Sequence, residues 1–286
     1  MIPQSAIQQW REVAPWADAA QVEQDLVITR ALIQIYNDPT VSKNFAFRGG
    51  TALQKLFMSR PTRYSEDIDL VHLRPGPIGP ELDAIRKLLD PWLGEPRRSR
   101  KEERFTLIYR FESEVAPVRS LRLKIEVNNG ENFNVFALQH KTIESQNPWF
   151  SGKADVLTYA FEELLGTKLR ALYQRKKGRD LYDMQIALDH FPELDPGKVI
   201  QSFQRYLVHQ NTTVSRAQYE ANLAQKVSDP TFIGDIPQLL TPDATAFDCL
   251  AAGERIKTTF LSLLPGEPWK GNAKDERSPK SLRKSR

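Results

Sequence analysis

Two aspartates separated by one isoleucine, Asp67 and Asp69, are the residues of this chain best suited to chemistry. They lie in the segment DIDLVHL, whose alternation of polar and apolar residues predicts a β-strand. Because successive side chains of a strand point to opposite faces, the two carboxylates share one face, about 6–7 Å apart at their Cα atoms. Carboxylates at that spacing repel each other unless a cation lies nearby, and oxygen ligands suit Mg²⁺ or Mn²⁺. The pair therefore predicts a divalent-metal site.

A third carboxylate, Glu126, lies in the segment LRLKIEV at 121–127, which alternates in the same way. If this strand is a neighbour of the first, Glu126 joins the face that carries the two aspartates. There it could help to hold the metal or take a proton from an attacking hydroxyl. The alternative is a solvated Glu and Lys pair on an exposed strand face.

Gly49, Gly50 and Thr51 precede this acidic strand by one short amphipathic segment. Glycine allows the backbone to approach a ligand closely, and the free N–H groups at a helix start favour an anion. We expect Thr51 to cap a helix from Ala52 to about Met58 and to add a hydroxyl donor. The three residues predict a cradle for the phosphates of a nucleoside triphosphate. The cradle is not a P-loop, because no Gly-Lys-Ser/Thr closes it. A Gly-Gly-Thr or an Asp-x-Asp alone could be a simple turn or a solvated edge, but their order and spacing favour the site.

The second half of the chain contributes a lysine, Lys168, at a position where the helical apolar stripe requires an apolar residue. Either Lys168 extends to the surface, or it projects into a cleft and neutralises the triphosphate. Asp180 and Asp183 share one helix face; Asp180 could be an N-cap or a partner of Arg179. Asp183 could orient Lys168, or contact nucleotide or water. Arg63 could reach a phosphate, but it is interpreted as a surface arginine.

The predicted secondary structure that positions these residues differs between the two parts of the chain. The N-terminal part is mixed α/β, whereas from Asp155 onward the periodicity is helical, with no convincing strand. This indicates an α+β protein with an α/β domain at 1–150, a helical domain at 151–267 and a basic disordered tail at 268–286. The segment EPRRSRKEER is interpreted as a polar excursion. The predicted helices are 18–36 and 80–93, and the predicted strands are 45–47, 67–73, 104–111 and 120–128.

Composition excludes several classes of protein. The 286 residues are 40% hydrophobic and 27% charged, which is typical of a globular chain. No apolar run approaches the roughly 20 residues of a membrane span, and no signal peptide is evident. The single cysteine, Cys249, cannot form an internal disulfide, which fits a reducing cytoplasm.

The net charge of +4 is mostly a property of the C-terminal tail, which alone carries +5. Two basic groups lie within the body of the chain and could hold phosphates. They are Arg97, Arg98, Arg100, Lys101 and Arg104, and then Arg170, Arg175, Lys176, Lys177 and Arg179.

Five segments, in this order, resemble the nucleotidyltransferase AbiEii/AbiGii toxin family, part of the DNA polymerase β-like nucleotidyltransferase superfamily. They are FRGGTALQKLF, SEDIDL, KIEV, GTKLRAL and RDLYDM, and they span roughly residues 40–190. The resemblance implies an N-terminal mixed-sheet nucleotidyltransferase-like domain. Departures are mild: Thr51 replaces the commoner serine, and Glu126 replaces an aspartate as the third acid.

The resemblance also implies roles for the candidate residues. Gly49, Gly50, Thr51 and the two aspartates would hold NTP phosphates and Mg²⁺ or Mn²⁺. Lys168 and Asp183 match the family's essential helical lysine and aspartate. Family members are toxins of two-gene toxin–antitoxin systems, often tied to phage defence, and the antitoxin is commonly a winged-helix regulator. Some transfer nucleotides onto tRNA ends, so an RNA acceptor, first of all tRNA, is expected here.

Two other functions stay open at this point. One is nucleotidylation of a protein or a small molecule, as antibiotic-modifying relatives in the superfamily perform. The other is a non-catalytic nucleotide-binding regulator, which would bind NTP without releasing pyrophosphate. The retained acids argue against the regulator, because an unpaired carboxylate cluster has no physical use without a cation.

Overall fold

The computed structural model describes residues 2–271, which form a seven-stranded mixed β-sheet followed by helices. The order of the strands across the sheet is β3-β4-β5-β2-β1-β7-β6. β2 pairs with β5 in parallel and with β1 antiparallel, and β1 pairs with β7 in parallel. The strands are β1 Phe45–Arg48, β2 Asp67–His72, β3 Arg97–Lys101, β4 Arg104–Glu112, β5 Ser120–Asn128, β6 Gln139–Gln146 and β7 Ser151–Thr158.

The helices fall into an N-terminal set that packs on the sheet and a C-terminal set that follows it. The first set is α1 Gln4–Trp10, α2 Ala19–Asn37, α3 Pro39–Ser42, α4 Gly49–Leu56 and α5 Gly79–Leu93. The second set is α6 Phe161–Gln174, α7 Gly178–His190, α8 Pro196–His209, α9 Arg216–Val227, α10 Pro230–Ile233 and α11 Cys249–Thr259. Within residues 2–271, none of these helices combines the length and apolarity needed to cross a membrane.

Each half has its own apolar core, which confirms the predicted α+β class. In β2 and β5 the alternate residues Ile68, Leu70, Ile125 and Val127 are buried under α2 and α5. The helical half packs mainly around Leu165, Phe203, Tyr219 and their neighbours. Burial of one strand face leaves the opposite face, with its polar residues, available for a site.

Three local predictions are wrong. Residues 97–101 are a strand rather than an excursion, and β7 contradicts the absence of strands from Asp155 onward. β7 continues the sheet beyond the predicted boundary at residue 150. The five residues of β3 are all exposed and are held by backbone pairing with β4, so they carry no apolar signature. The predicted tail lies mostly outside the described residues.

The third wrong prediction concerns the start of α4. The helix begins at Gly49 with Arg48 at the N-cap position, so Thr51 lies within the helix and does not cap it.

Candidate active site

Strand register brings the three predicted acids to one face of the sheet. In the parallel pairing of β2 with β5, Asp69 lies opposite Glu126 and Asp67 lies opposite Lys124. Asp67, Asp69 and Glu126 line one cavity of about 750 Å³ between the sheet and the helical half. The volume is in the range of small-molecule and cofactor sites. The geometric expectation that Glu126 joins the aspartates is therefore met, whereas its chemical role stays a prediction.

The two aspartates carry negative charge that the protein compensates only in part. Burial raises the pKa of Asp67 to about 6, with Asp69 adding to the shift and Lys124 opposing it. Burial and the nearby Glu126 also raise the pKa of Asp69. Such shifts indicate carboxylates that would ionise more readily with a further cation beside them.

Lys124, on β5, lies between two acids of the site, Glu126 and Asp67. Its Nζ lies 2.8 Å from Glu126 Oε2 and 3.7 Å from Asp67 Oδ2. The ammonium therefore engages Glu126 more closely than Asp67. The pairing with Glu126 lies within one strand and matches the Glu and Lys pair considered from the sequence, whereas the approach to Asp67 depends on the register of β2 against β5.

The donor set at β2 fits a hard divalent cation. Asp67 Oδ1 is buried and has no hydrogen-bond partner, so an acceptor oxygen is free for a ligand. Residues 2–271 contain no three His, Cys, Asp or Glu side chains already grouped at metal-binding spacing. Mg²⁺ commonly takes one or two carboxylates and completes its shell with water and substrate phosphates. Asp67 and Asp69 meet that requirement, while Glu126 is held by Lys124.

The Gly-Gly turn lies directly against the acidic strand. Gly49 has φ +85°, and a Cβ added there would lie 2.2 Å from Asp69 Oδ2. A Cβ on Gly50 would lie 2.4 Å from an Arg63 guanidinium nitrogen. Both positions therefore require glycine because the backbone lies close to the Asp69 and Arg63 side chains. Gly50 lines the cavity; buried Thr51 does not, and its hydroxyl lies 2.9 Å from Ser65 Oγ.

Lys168 reaches the same cavity from α6 and does not extend to the surface. Its Nζ lies 3.2 Å from Asp180 Oδ1 and 2.9 Å from Asp183 Oδ2. These two α7 carboxylates are fully buried. They hold the ammonium at the wall of the cavity that the strand acids also line.

Asp183 orients cations and does not itself line the cavity. Besides Lys168, it accepts two hydrogen bonds from Arg63, at 2.7 and 2.6 Å. Burial alone would raise the pKa of Asp183, but Arg63 and Lys168 lower it to about 2. Of the two roles considered for Asp183, the geometry supports the orientation of Lys168.

Arg63 corrects another expectation, because it is buried with 2% of its surface exposed. It joins the loop before β2 to α7 through Asp183. Its segment, RPTRY, has neither periodicity nor spacing that distinguishes a buried arginine from an exposed one. Asp180 likewise pairs with Lys168 and Arg175 and is not a cap for α7.

The second basic group is largely neutralised by ion pairs within the protein. The Arg179 guanidinium forms no ion pair in the described part of the chain, and Arg179 lines the cavity together with Arg175. The pairs in this group are Arg170–Glu131, Arg175–Asp180, Lys176–Asp229 and Lys177–Asp235.

The fold and the site together define a class: an acidic strand pair and a buried lysine line one cavity, which suits nucleotidyl transfer. Among solved structures, the fold is similar to MenT4, a nucleotidyltransferase toxin from Mycobacterium tuberculosis H37Rv, with a TM-score of 0.64. The two share 15% identity over 93% of this chain and 91% of MenT4. It is also similar to JHP933 from Helicobacter pylori, with a TM-score of 0.54 and 15% identity over 84% and 93% of the chains.

Sequence comparison identifies the family. Residues 30–252 match the family described as nucleotidyl transferase AbiEii toxin, type IV TA system, and the chain belongs to that family. The membership predicted from the motifs is confirmed, and the chain is a nucleotidyltransferase of a toxin family. An NTP substrate and an antitoxin partner follow from that membership. A comparison with curated proteins gave no match.

Proposed function

We propose that this nucleotidyltransferase moves a nucleoside monophosphate from an NTP onto an RNA acceptor, with tRNA the first candidate. An acceptor hydroxyl attacks the α-phosphorus, a new phosphodiester bond forms, and the bond to the departing pyrophosphate breaks. The observation that carries the proposal is that Asp67, Asp69 and Lys168 line one cavity.

The position of each residue in the cavity suggests its role in the reaction. Lys168, held by Asp180 and Asp183, supplies a fixed positive charge for the triphosphate oxygens. Gly50 offers backbone beside the same space. Glu126, across from Asp69 on β5, takes the proton of the attacking hydroxyl, and Lys124 holds its carboxylate in place.

Asp67 and Asp69 would hold Mg²⁺, or Mn²⁺, as the cofactor. When bound, such a cation supplies Lewis-acid stabilisation of charge on phosphate oxygens. The free Oδ1 of Asp67 and the raised pKa values of both aspartates support this assignment.

We further propose that the reaction takes place in the cytoplasm, where NTPs and tRNA are available, and that the cognate antitoxin is a winged-helix regulator. Both rest on the family resemblance. A short basic winged-helix protein encoded next to this gene would support the antitoxin assignment.

The acceptor is tested by incubating the protein with each α-labelled NTP and a cell lysate. Matched samples are treated afterwards with ribonuclease or with protease. We expect the label to enter RNA of tRNA size and to be lost only with ribonuclease. Label that resists ribonuclease and is lost with protease would identify a protein acceptor. NTP binding without pyrophosphate release would identify a regulator, and either result would contradict the proposal.

A further inference from the structure

The face of the sheet that carries the catalytic acids continues outward across β4 to the edge strand β3. Antiparallel register pairs Glu126 of β5 with Thr106 of β4, and Thr106 with Ser99 of β3. Directly paired residues of neighbouring strands point to the same face. The face that holds Glu126 is therefore shared by Ser99 and by every second residue on either side of it.

Four basic residues of β3 and β4 lie on this face. Arg97 and Lys101 flank Ser99, and they pair with Ile108 and Arg104. Arg104 and Arg110 lie on the same side of β4 as Thr106. We call Arg97, Lys101, Arg104 and Arg110 the basic face.

The basic face is exposed and its charge is not neutralised by the protein. All four side chains are exposed, and none forms an ion pair within residues 2–271. The only acid that β3 and β4 contribute to this face is Glu112, at the far end of β4. By contrast, most cations of the second basic group are paired with acids.

Two further arginines of β3 lie on the opposite face. Arg98 pairs with Leu107 and Arg100 with Phe105, and Leu107 belongs to the buried side of the sheet. The Arg100 guanidinium lies over the Phe105 ring, 4.9 Å from its centre. The basic run of the sequence is therefore divided by strand alternation, and only half of it shares a face with the acids.

We propose that the basic face binds the phosphate backbone of the RNA acceptor and directs its reactive end toward Glu126. Adjacent strands lie about 4.8 Å apart, so β3 is about 15 Å from β2, a distance that an RNA strand crosses within a few nucleotides. Unpaired arginine and lysine side chains bind phosphates regardless of base, as a toxin acting on RNA ends requires. This inference rests on the proposed function and adds the acceptor's path to it.

The test compares two double variants of one strand, Arg97→Gln/Lys101→Gln and Arg98→Gln/Arg100→Gln. Each removes two exposed charges of β3, so the two variants change the net charge equally but on opposite faces, and the second also removes the contact of Arg100 with Phe105. Binding to fluorescein-labelled bulk bacterial tRNA is measured by anisotropy at several salt concentrations between about 50 and 200 mM. We expect the first variant to bind about tenfold more weakly, with a salt slope lower by about 1 to 2. The second should stay within about twofold of wild type.

Each outcome decides a different point. Equal losses of tRNA affinity in both variants, or no loss in either, would overturn the inference. In that case nucleotide transfer to RNA by the wild type would leave the proposed function intact. A wild type that binds no tRNA would contradict the RNA acceptor itself. Melting temperature and NTP-induced stabilisation, measured for both variants, verify the fold and the nucleotide site.

Discussion

At the residue scale, Asp67 is half-buried, and its Oδ1 atom is buried without a hydrogen-bond partner, as expected of a carboxylate that binds a cation. Its pKa of about 6 lies above the ordinary value of 3.8, so the folded protein binds this proton more tightly than the unfolded chain. Stability contributed by that proton is present at low pH and is lost as pH rises through about 6. The site thus costs stability at neutral pH in the absence of metal.

Asp67→Asn should therefore raise the melting temperature of the metal-free protein at pH 8 by about 2–6 °C, and by less near pH 4. The measurement is thermal unfolding in chelator at both pH values. Asp83→Asn, at a carboxylate 75% exposed, serves as the control and should change little. If Asp67→Asn is no more stable than wild type at pH 8, the ionised Asp67 carboxylate does not destabilise the folded protein, and the prediction is contradicted.

Gly49 tests the contact between the turn and the acidic strand. Gly49→Ala adds a Cβ 2.2 Å from Asp69 Oδ2, whereas Gly94→Ala adds one at a similar φ, +76°, with no atom within 4 Å. Both variants should lose about 1–3 kcal/mol from backbone strain. Only Gly49→Ala should also lose nucleotidyl transfer, by about 100-fold or more, because it displaces Asp69. Urea unfolding measures the loss of stability, and label transfer measures the loss of activity. Equal activity of Gly49→Ala and Gly94→Ala would show that nucleotidyl transfer does not require glycine at position 49.

At the element scale, Arg63 and Asp183 join the loop before β2 to α7. Arg63→Ala leaves a buried carboxylate with Lys168 as its remaining cation, so we expect a loss of about 3–5 kcal/mol in the free energy of unfolding. Arg122→Ala breaks an exposed pair with Glu66 and should cost at most about 1 kcal/mol. The comparison by urea unfolding uses one residue type in two environments. Similar losses would mean that the buried pair does not stabilise the junction.

The elements also show what local sequence could reveal. β2 and β5 were predictable because one face of each is buried, so apolar residues alternate with polar ones. β3 and β6 were not, because RRSRK and QHKTIESQ are held by backbone pairing and bury few side chains. Lys168 was detectable as a charge within an apolar stripe. Arg63 was not, because its partner Asp183 is distant in the chain, and neither was the approach of Lys124 to Asp67, which lies on another strand.

At the scale of the whole molecule, a second buried ion-pair cluster joins the sheet to the helices. Glu131 binds Arg48, at the end of β1, and Arg170, on α6, each at 2.5 Å. These two arginines lower the pKa of Glu131 to about 2, although its burial acts in the opposite direction. The two apolar cores are thus connected by charges as well as by contacts.

Glu131→Ala would leave two guanidinium groups in the junction without their shared acid. We expect the free energy of unfolding to fall by about 3–5 kcal/mol. The fluorescence of Trp10, Trp16, Trp92 and Trp149 is measured in a Trp269→Phe background, because Trp269 contacts the helical half. This fluorescence and the helical circular dichroism should then give separate midpoints in urea. Midpoints that coincide and match wild type would show that the cluster does not couple the halves.

The central claim is that Asp67 and Asp69 support nucleotidyl transfer at this cavity. It is tested most directly by transfer of label from an α-labelled NTP to RNA, comparing wild type with Asp67→Ala/Asp69→Ala. A control, Asp83→Ala/Glu254→Ala, removes two carboxylates that are 75% and 70% exposed elsewhere. We predict that the aspartate variant folds but transfers no label above background, while the control retains full activity. Wild-type transfer by the folded aspartate variant would contradict it.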